Sequence, residues 1–317
     1  MSEDPKLKQL TMEHTQNAFL QPFLVWLLPA KWRLQRGWRE LRRFVVPEVH
    51  RQMAESTCED PKDGMTSPSL IAWMVKDGRT ELERDPHLLT TLVGSIAAGS
   101  TYSIGNFICQ ALSDLAAHPE VLDTVRAEIR ARHAQIGGCW GFATLRGLDN
   151  LESAMKETAR LTPGTLIVYS RVVQRDHILE NGTLLRKGQF VTISGPSRTR
   201  DESVFAHAER YDGLRFCADP KALEQHRALP FSSVDTDILT WGSGRWACPG
   251  RYLADMTAKI FLVKLIDEYD IAFVDGVQPG RSAIHEFLFF HPENKMLLRR
   301  RNDAVGIEWT NENTAAV

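Results

Sequence analysis

Cys248 stands in Trp241-Gly-Ser-Gly-Arg-Trp-Ala-Cys248-Pro-Gly250-Arg251, a glycine-rich stretch that runs straight into a helical pattern. Backbone N–H groups in such a loop and at a helix N-terminus point toward a sulfur placed there. They favour its thiolate, the form that acts as nucleophile and metal ligand. Gly242, Gly244 and Gly250 would let the backbone come close to something large and flat. For the loop alone, a buried structural cysteine is the alternative. Upstream, Glu157 and Arg160 lie three apart, which places an acid and a base on one helix face, as many helices do. Ala97-Ala98-Gly99-Ser100-Thr101 is a run of small residues that lets a helix pass close to a flat partner or forms a groove for packing another helix.

The elements that must position these residues follow from periodicity and punctuation. Residues 31–56 read as helix, and a loop containing Gly, Pro and Ser follows around Pro61–Pro68. Asp85-Pro86, an N-cap acid before a proline at the first helical position, opens the longest helical signal. That signal runs to His118-Pro119, a helix of about 45 Å. An amphipathic helix extends to about His133, Gly137, Gly138 and Gly141 break it, and another helix covers about Asp149–Leu161. After Pro163 the pattern alternates. Leu166–Tyr169 reads as a strand, Asn181-Gly182 as a two-residue hairpin turn, and Lys187-Gly188 as a turn into a strand over Gln189–Ile193. Residues 198–245 are mostly irregular, with a short helix near Ala222–His226, and a last long helix runs from near Pro249 to near Tyr269, directly behind Cys248. The expected fold is mainly α (α+β), a long central helix with a small sheet and no repeat or linker to divide it.

Composition narrows the functional classes. Hydrophobic residues make up 43% and charged residues 25%, which fits a globular chain and excludes a disordered one. A net charge of −2 removes bulk electrostatics as a ground for binding nucleic acid. The five cysteines are odd in number, widely spaced and without a C-x-x-C pair, which argues for a reducing compartment and against zinc or a disulfide framework. Asn17–Ala30 is apolar but broken by Gln21, Pro22 and Pro29, short of the ~20 residues a spanning helix needs. Lys31–Arg43 then carries six basic residues against one acid. The pair reads as an apolar wedge beside a cationic helix, suited to peripheral contact with a membrane surface, or as a core helix followed by a solvated one.

The whole pattern around Cys248 resembles the heme-binding signature of the cytochrome P450 family: aromatic, two residues, Gly, any, basic, any, Cys, any, Gly. Trp241 matches the aromatic residue, Gly244 and Gly250 the glycines, and Cys248 the axial thiolate ligand of the heme iron. The basic position is Trp246 here, and Arg245 beside it stands in as a ligand of the heme propionate. In the family's order, Glu157 and Arg160 resemble its E-x-x-R pair, and Arg215 in Tyr211-Asp-Gly-Leu-Arg215-Phe216 the third member of that structural ion network. Arg171 matches a propionate-binding basic residue, or is a solvated strand arginine. Thr101 resembles the threonine that helps deliver protons for oxygen activation. Ser100 replaces the usual acid and Tyr102 follows where a second hydroxyl residue is common, so proton delivery would rely more on water or substrate.

The resemblance covers about Thr11 to Arg301 and implies a heme-thiolate monooxygenase. Such an enzyme takes electrons from NADPH through NADPH-cytochrome P450 reductase and oxidises a small hydrophobic substrate with O2. Ala-Cys-Pro-Gly-Arg, Leu151–Pro163 and the final Arg-Arg-Arg are most similar to fungal secondary-metabolism members, which implies a terpenoid-like substrate. By position in the family, Leu92–Ile96, Thr165–Val168 and Phe287–Phe290 would contact it. The family normally has roughly a further third of chain ahead of Met1. Residues 1–317 are therefore expected to be one partial domain, the heme-binding C-terminal two-thirds, without a transmembrane segment. The parent enzymes are intracellular and associated with the endoplasmic reticulum membrane. A non-catalytic remnant or a wrongly delimited gene fragment is the alternative functional reading.

Overall fold

The computed structural model describes residues 29–56, 69–217, 230–291 and 293–309. The Pro61–Pro68 loop, the helix expected near Ala222–His226, Cys58 and residues 17–28 of the apolar run lie outside them. Contacts group the chain into two compact units, Met1–Gly99 and Ser100–Val317.

The first unit holds α1 (Pro29–Ser56), α2 (Leu70–Asp77) and the N-terminal part of α3 (Pro86–Ala117). The starts of α2 and α3 are set by local chemistry. The Ser69 hydroxyl accepts the Ala72 N–H at 3.1 Å and the Asp85 carboxylate the Leu88 N–H at 2.7 Å. Val45 and Val49 of α1 close on Val75 and Leu89, a small apolar core. A Cβ on Gly94 would stand 2.6 Å from the Trp38 ring, so α1 and α3 touch here at a distance that only glycine permits.

The second unit is built on the remainder of α3 with α4 (Pro119–Gln135), α5 (Asp149–Leu161) and α7 (Arg251–Glu268). Each contributes a stripe at helical spacing: Ile108, Leu112 and Leu115; Leu122, Val125 and Ile129; Leu151 and Met155; Leu262 and Ile266. Each such buried side chain contributes about 1.5–3 kcal/mol. A short α6 (Gly195–Thr199), unforeseen in the sequence, starts with Pro196 near its N-terminus.

The small sheet is divided into five two-stranded pairs. β1 (Cys139–Trp140) runs parallel to β10 (Glu308–Trp309). Antiparallel pairs join β2 (Ile167–Val172) to β5 (Phe190–Ser194), β3 (His177–Ile178) to β4 (Leu184–Leu185), β6 (Tyr269–Phe273) to β9 (Met296–Arg300) and β7 (Arg281–Ile284) to β8 (Phe287–Phe290). The β3–β4 turn differs from the expected two-residue form. Gly182 N–H donates to the Leu179 carbonyl at 2.8 Å and Leu179 N–H to Thr183 at 2.9 Å, while only Gly182 takes a positive φ, +84°. That is a three-residue loop closing on a left-handed glycine, because Asn181 keeps an ordinary backbone. β2 is irregular between Val168 and Arg171, where Tyr169 holds φ +56°. The bulge re-aims the side chains that follow it.

Candidate active site

The cysteine loop is shaped at both ends. Its entry is a single 3-10 turn, Leu239–Trp241, and a second, Gly244–Trp246, precedes the sulfur. Gly242 and Gly244 sit at φ +71° and +58°, conformations that a side chain would strain. Cys248 N–H donates to the Trp241 carbonyl at 2.7 Å, closing the loop, and Arg251 donates from Nη1 to the Cys248 carbonyl at 2.9 Å. Gly250 differs from the other two glycines: its φ is −84°, and a Cβ there would stand 4.0 Å from the Cys248 sulfur, an ordinary contact. Its backbone does not demand glycine. Cys248 is a half-buried free thiol, and α7 begins at Arg251 just behind it.

Two cations gather on Trp246, two residues before Cys248. The Arg245 guanidinium lies 5.1 Å from the Trp246 ring centroid and the Arg171 guanidinium, delivered by the bulged β2, lies 5.5 Å from it. Trp246 is 64% exposed, so this aromatic at the family's basic position collects the two arginines that sequence reading had placed separately. Trp241 is engaged by Phe231 instead. Its indole N–H donates to the Phe231 carbonyl, and its ring meets Phe231 edge-on at 5.1 Å.

Glu157, Arg160 and Arg215 form one buried network. Arg160 grips Glu157 with two bonds of 2.7 Å, and both side chains are 0% exposed. Arg160 also donates to the carbonyls of Thr199 and Ala208 at 2.6 Å, and Arg215 reaches both Glu157 oxygens at 3.1 Å. The network ties α5 to α6 and to the irregular segment 206–215.

Ser100 and Thr101 are presented by α3, Thr101 on its exposed side. One residue that sequence reading missed organises this face. Asn106 donates to the Leu288 carbonyl at 3.1 Å and accepts the Phe290 N–H at 2.7 Å, so it clamps β8 to α3. Thr165 bridges to Phe287, and Leu166 N–H donates to the Glu286 carbonyl at 2.6 Å. Two of the stretches expected at substrate, Thr165–Val168 and Phe287–Phe290, are thereby neighbours. The signal for Asn106 was an amide, with Gln110 one turn on, in a helix rich in apolar and small residues.

The Cytochrome P450 family model matches residues 5–299. This chain belongs to the cytochrome P450 family. Relatives include Cytochrome P450 monooxygenase AN1598 of Emericella nidulans, 30% identical over 92% of this chain and 57% of its own length. Cytochrome P450 monooxygenase terK of Tolypocladium album is 32% identical over 93% of this chain and 57% of its own. Dihydro-ML-236C monooxygenase mlcC of Penicillium citrinum is 29% identical over 90% and 54%. The chain thus spans little more than half the length of these relatives. Among solved structures, the cytochrome P450DA heme domain superposes with a TM-score of 0.63 at 16% identity, over 87% of this chain and 56% of that one, and shares the fold. Among the described residues no helix is long and apolar enough to cross a membrane.

Members of the P450 family are heme-thiolate enzymes, and the residues here fit that group. Cys248 offers one soft sulfur from a loop where a Cβ on Gly244 would meet nothing within 4 Å. Trp246 and, on the first turn of α7, Leu253 are both exposed apolar side chains. Arg171 and Arg245 supply positive charge next to this surface, as heme carboxylates require.

Proposed function

We propose that the chain is the heme-binding part of a monooxygenase that oxidises a hydrophobic secondary metabolite, terpenoid-like in character, and that its two units belong to one P450 domain. The observation that carries this reading is the free Cys248 thiol in its glycine loop, with Arg171 and Arg245 gathered on Trp246 beside it. Heme bound there would activate O2, one atom entering a C–H bond of the substrate and the other leaving as water, with two electrons from NADPH delivered by a P450 reductase. Cys248 would hold the iron through sulfur, and Arg171 and Arg245 would hold the carboxylates. Glu157, Arg160 and Arg215 keep the surrounding backbone in place without touching substrate. Thr101 holds a hydroxyl proton on α3, and Ser100 beside it adds a second hydroxyl. Thr165–Val168 and Phe287–Phe290 offer apolar side chains to the substrate, and the name of the relative mlcC, Dihydro-ML-236C monooxygenase, supports a small-molecule substrate.

Peripheral attachment to the endoplasmic reticulum belongs to the same proposal. α1 exposes Arg33, Arg36, Arg39 and Arg43 together with Trp32 and Phe44, a cationic and aromatic face suited to anionic lipid.

The test is a three-way count of NADPH consumed, peroxide formed and product formed, with a fungal reductase and a panel of terpenoid substrates. Wild type is expected to make product. Thr101→Ala should retain heme while about tenfold more of its electrons go to peroxide, since a proton-delivery hydroxyl is gone and the iron ligand is untouched. Peroxide without product from both proteins would contradict the monooxygenase reading, and equal coupling in both would remove Thr101 from proton delivery.

A further inference from the structure

We infer that Lys259 and Glu152, an ion pair joining α7 to α5 whose ammonium is buried, position Cys248 by bracing Trp241. Lys259 lies on α7 with its side chain 6% exposed, its ammonium 2.9 Å from Asp255 one turn earlier and paired with the Glu152 carboxylate of α5. The other Glu152 oxygen accepts the backbone N–H of Phe231. The Phe231 carbonyl accepts the Trp241 indole N–H, and the Phe231 ring stacks on Phe107 at 4.9 Å. The Trp241 carbonyl in turn accepts the Cys248 N–H at 2.7 Å. Polar contacts therefore run unbroken from the α5–α7 pair to the amide of the candidate iron ligand.

The loop needs such a brace. Ser243, Gly244, Arg245 and Trp246 are exposed, and two glycines free its backbone, so its position is fixed mainly by its ends. A buried ammonium is poorly explained as packing, because an apolar side chain of similar volume fills such a site as well or better. Placed between two carboxylates, it instead fixes one rotamer of Glu152, the rotamer that receives Phe231. The functional meaning of this brace rests on Cys248 being the iron ligand; its existence does not.

The test reads the sulfur without requiring heme. The rate at which iodoacetamide alkylates Cys248 in the native chain is measured by peptide mass spectrometry, with exposed Cys139 as internal standard. Lys259→Met is expected to raise the Cys248 rate at least about fivefold, and Trp241→Phe, which keeps a six-membered aromatic ring but removes the indole N–H with the rest of its five-membered ring, about three- to tenfold. Asp267→Ala is the control. Asp267 is a fully buried acid on the same helix that accepts the N–H groups of Val305 and Gly306 at 3.1 and 3.2 Å, and its loss should leave the rate within about twofold of wild type. An unchanged rate in Lys259→Met and Trp241→Phe would overturn the inference, as would an equal rise in Asp267→Ala. With heme added, Lys259→Met should also lose more of the thiolate band of the reduced carbon monoxide complex than Asp267→Ala does. Failure of Cys248→Ser to alter heme ligation would sink the functional reading while the alkylation result still decides the brace.

Discussion

Glu157 accepts four N–H groups, from Nε and Nη2 of Arg160, Nε of Arg215 and the backbone of Asp212, with no solvent at its side chain. Removing it leaves the Arg160 guanidinium charged, fully buried and held by carbonyls alone. Loss of one partner of a buried pair costs about 3–5 kcal/mol, a large part of the ~5–15 kcal/mol that holds a domain folded. Glu157→Ala is therefore expected to yield misfolded, heme-poor protein, measured by thermal melting and by heme content of the soluble fraction. A soluble, heme-loaded variant melting like wild type would contradict the network's structural role. The pairing of Glu157 with Arg160 was legible because a spacing of three is a property of the helix itself. The meeting of Arg171 and Arg245 on Trp246 was not. It depends on the Tyr169 bulge in β2, and no local pattern in the sequence announces a positive φ at a tyrosine.

At the scale of elements, the long helices were legible from local signals, the Asn181-Gly182 turn came out one residue longer than expected, and the long-range contacts were silent. Asp85-Pro86 starts α3 as its chemistry requires, and α5 occupies Asp149–Leu161, the span that periodicity gave. Asn106 clamping β8, and Glu152 meeting Lys259 across two helices, join residues more than a hundred positions apart, which periodicity cannot pair. The β6–β9 ladder carries a prediction of its own. The Arg299 guanidinium bonded to Asp270 holds that carboxyl below its ordinary range, and Arg130 holds Asp303 down at about 2. Carboxyls with depressed folded-state values add stability above their unfolded value, about 3.9, and lose it as pH falls toward the folded one. Hydrogen exchange of Tyr269–Phe273 and Met296–Arg300 should thus accelerate as pH drops from about 4 to about 2, after correction for intrinsic exchange. Asp303→Asn should flatten that dependence. A pH-independent ladder would show that these ion pairs contribute nothing to it.

For the molecule as a whole, two surfaces carry the proposed biology. The cationic face of α1 is expected to bind anionic lipid, each basic residue near the surface contributing about 1 kcal/mol. Arg33→Glu combined with Arg36→Glu should then weaken sedimentation with phosphatidylserine vesicles by about tenfold or more and leave that with neutral vesicles unchanged. Equal binding by both proteins would assign α1 to ordinary solvation. The second surface is the cysteine loop, on which the P450 reading stands or falls. The most direct measurement is the reduced carbon monoxide difference spectrum of the heme-reconstituted chain beside that of Cys248→Ser. Wild type should show the red-shifted Soret band of a thiolate-ligated carbonyl complex, and the serine variant should lack it. The same band in both proteins, or heme bound with equal affinity through some other residue, would contradict Cys248 as the ligand.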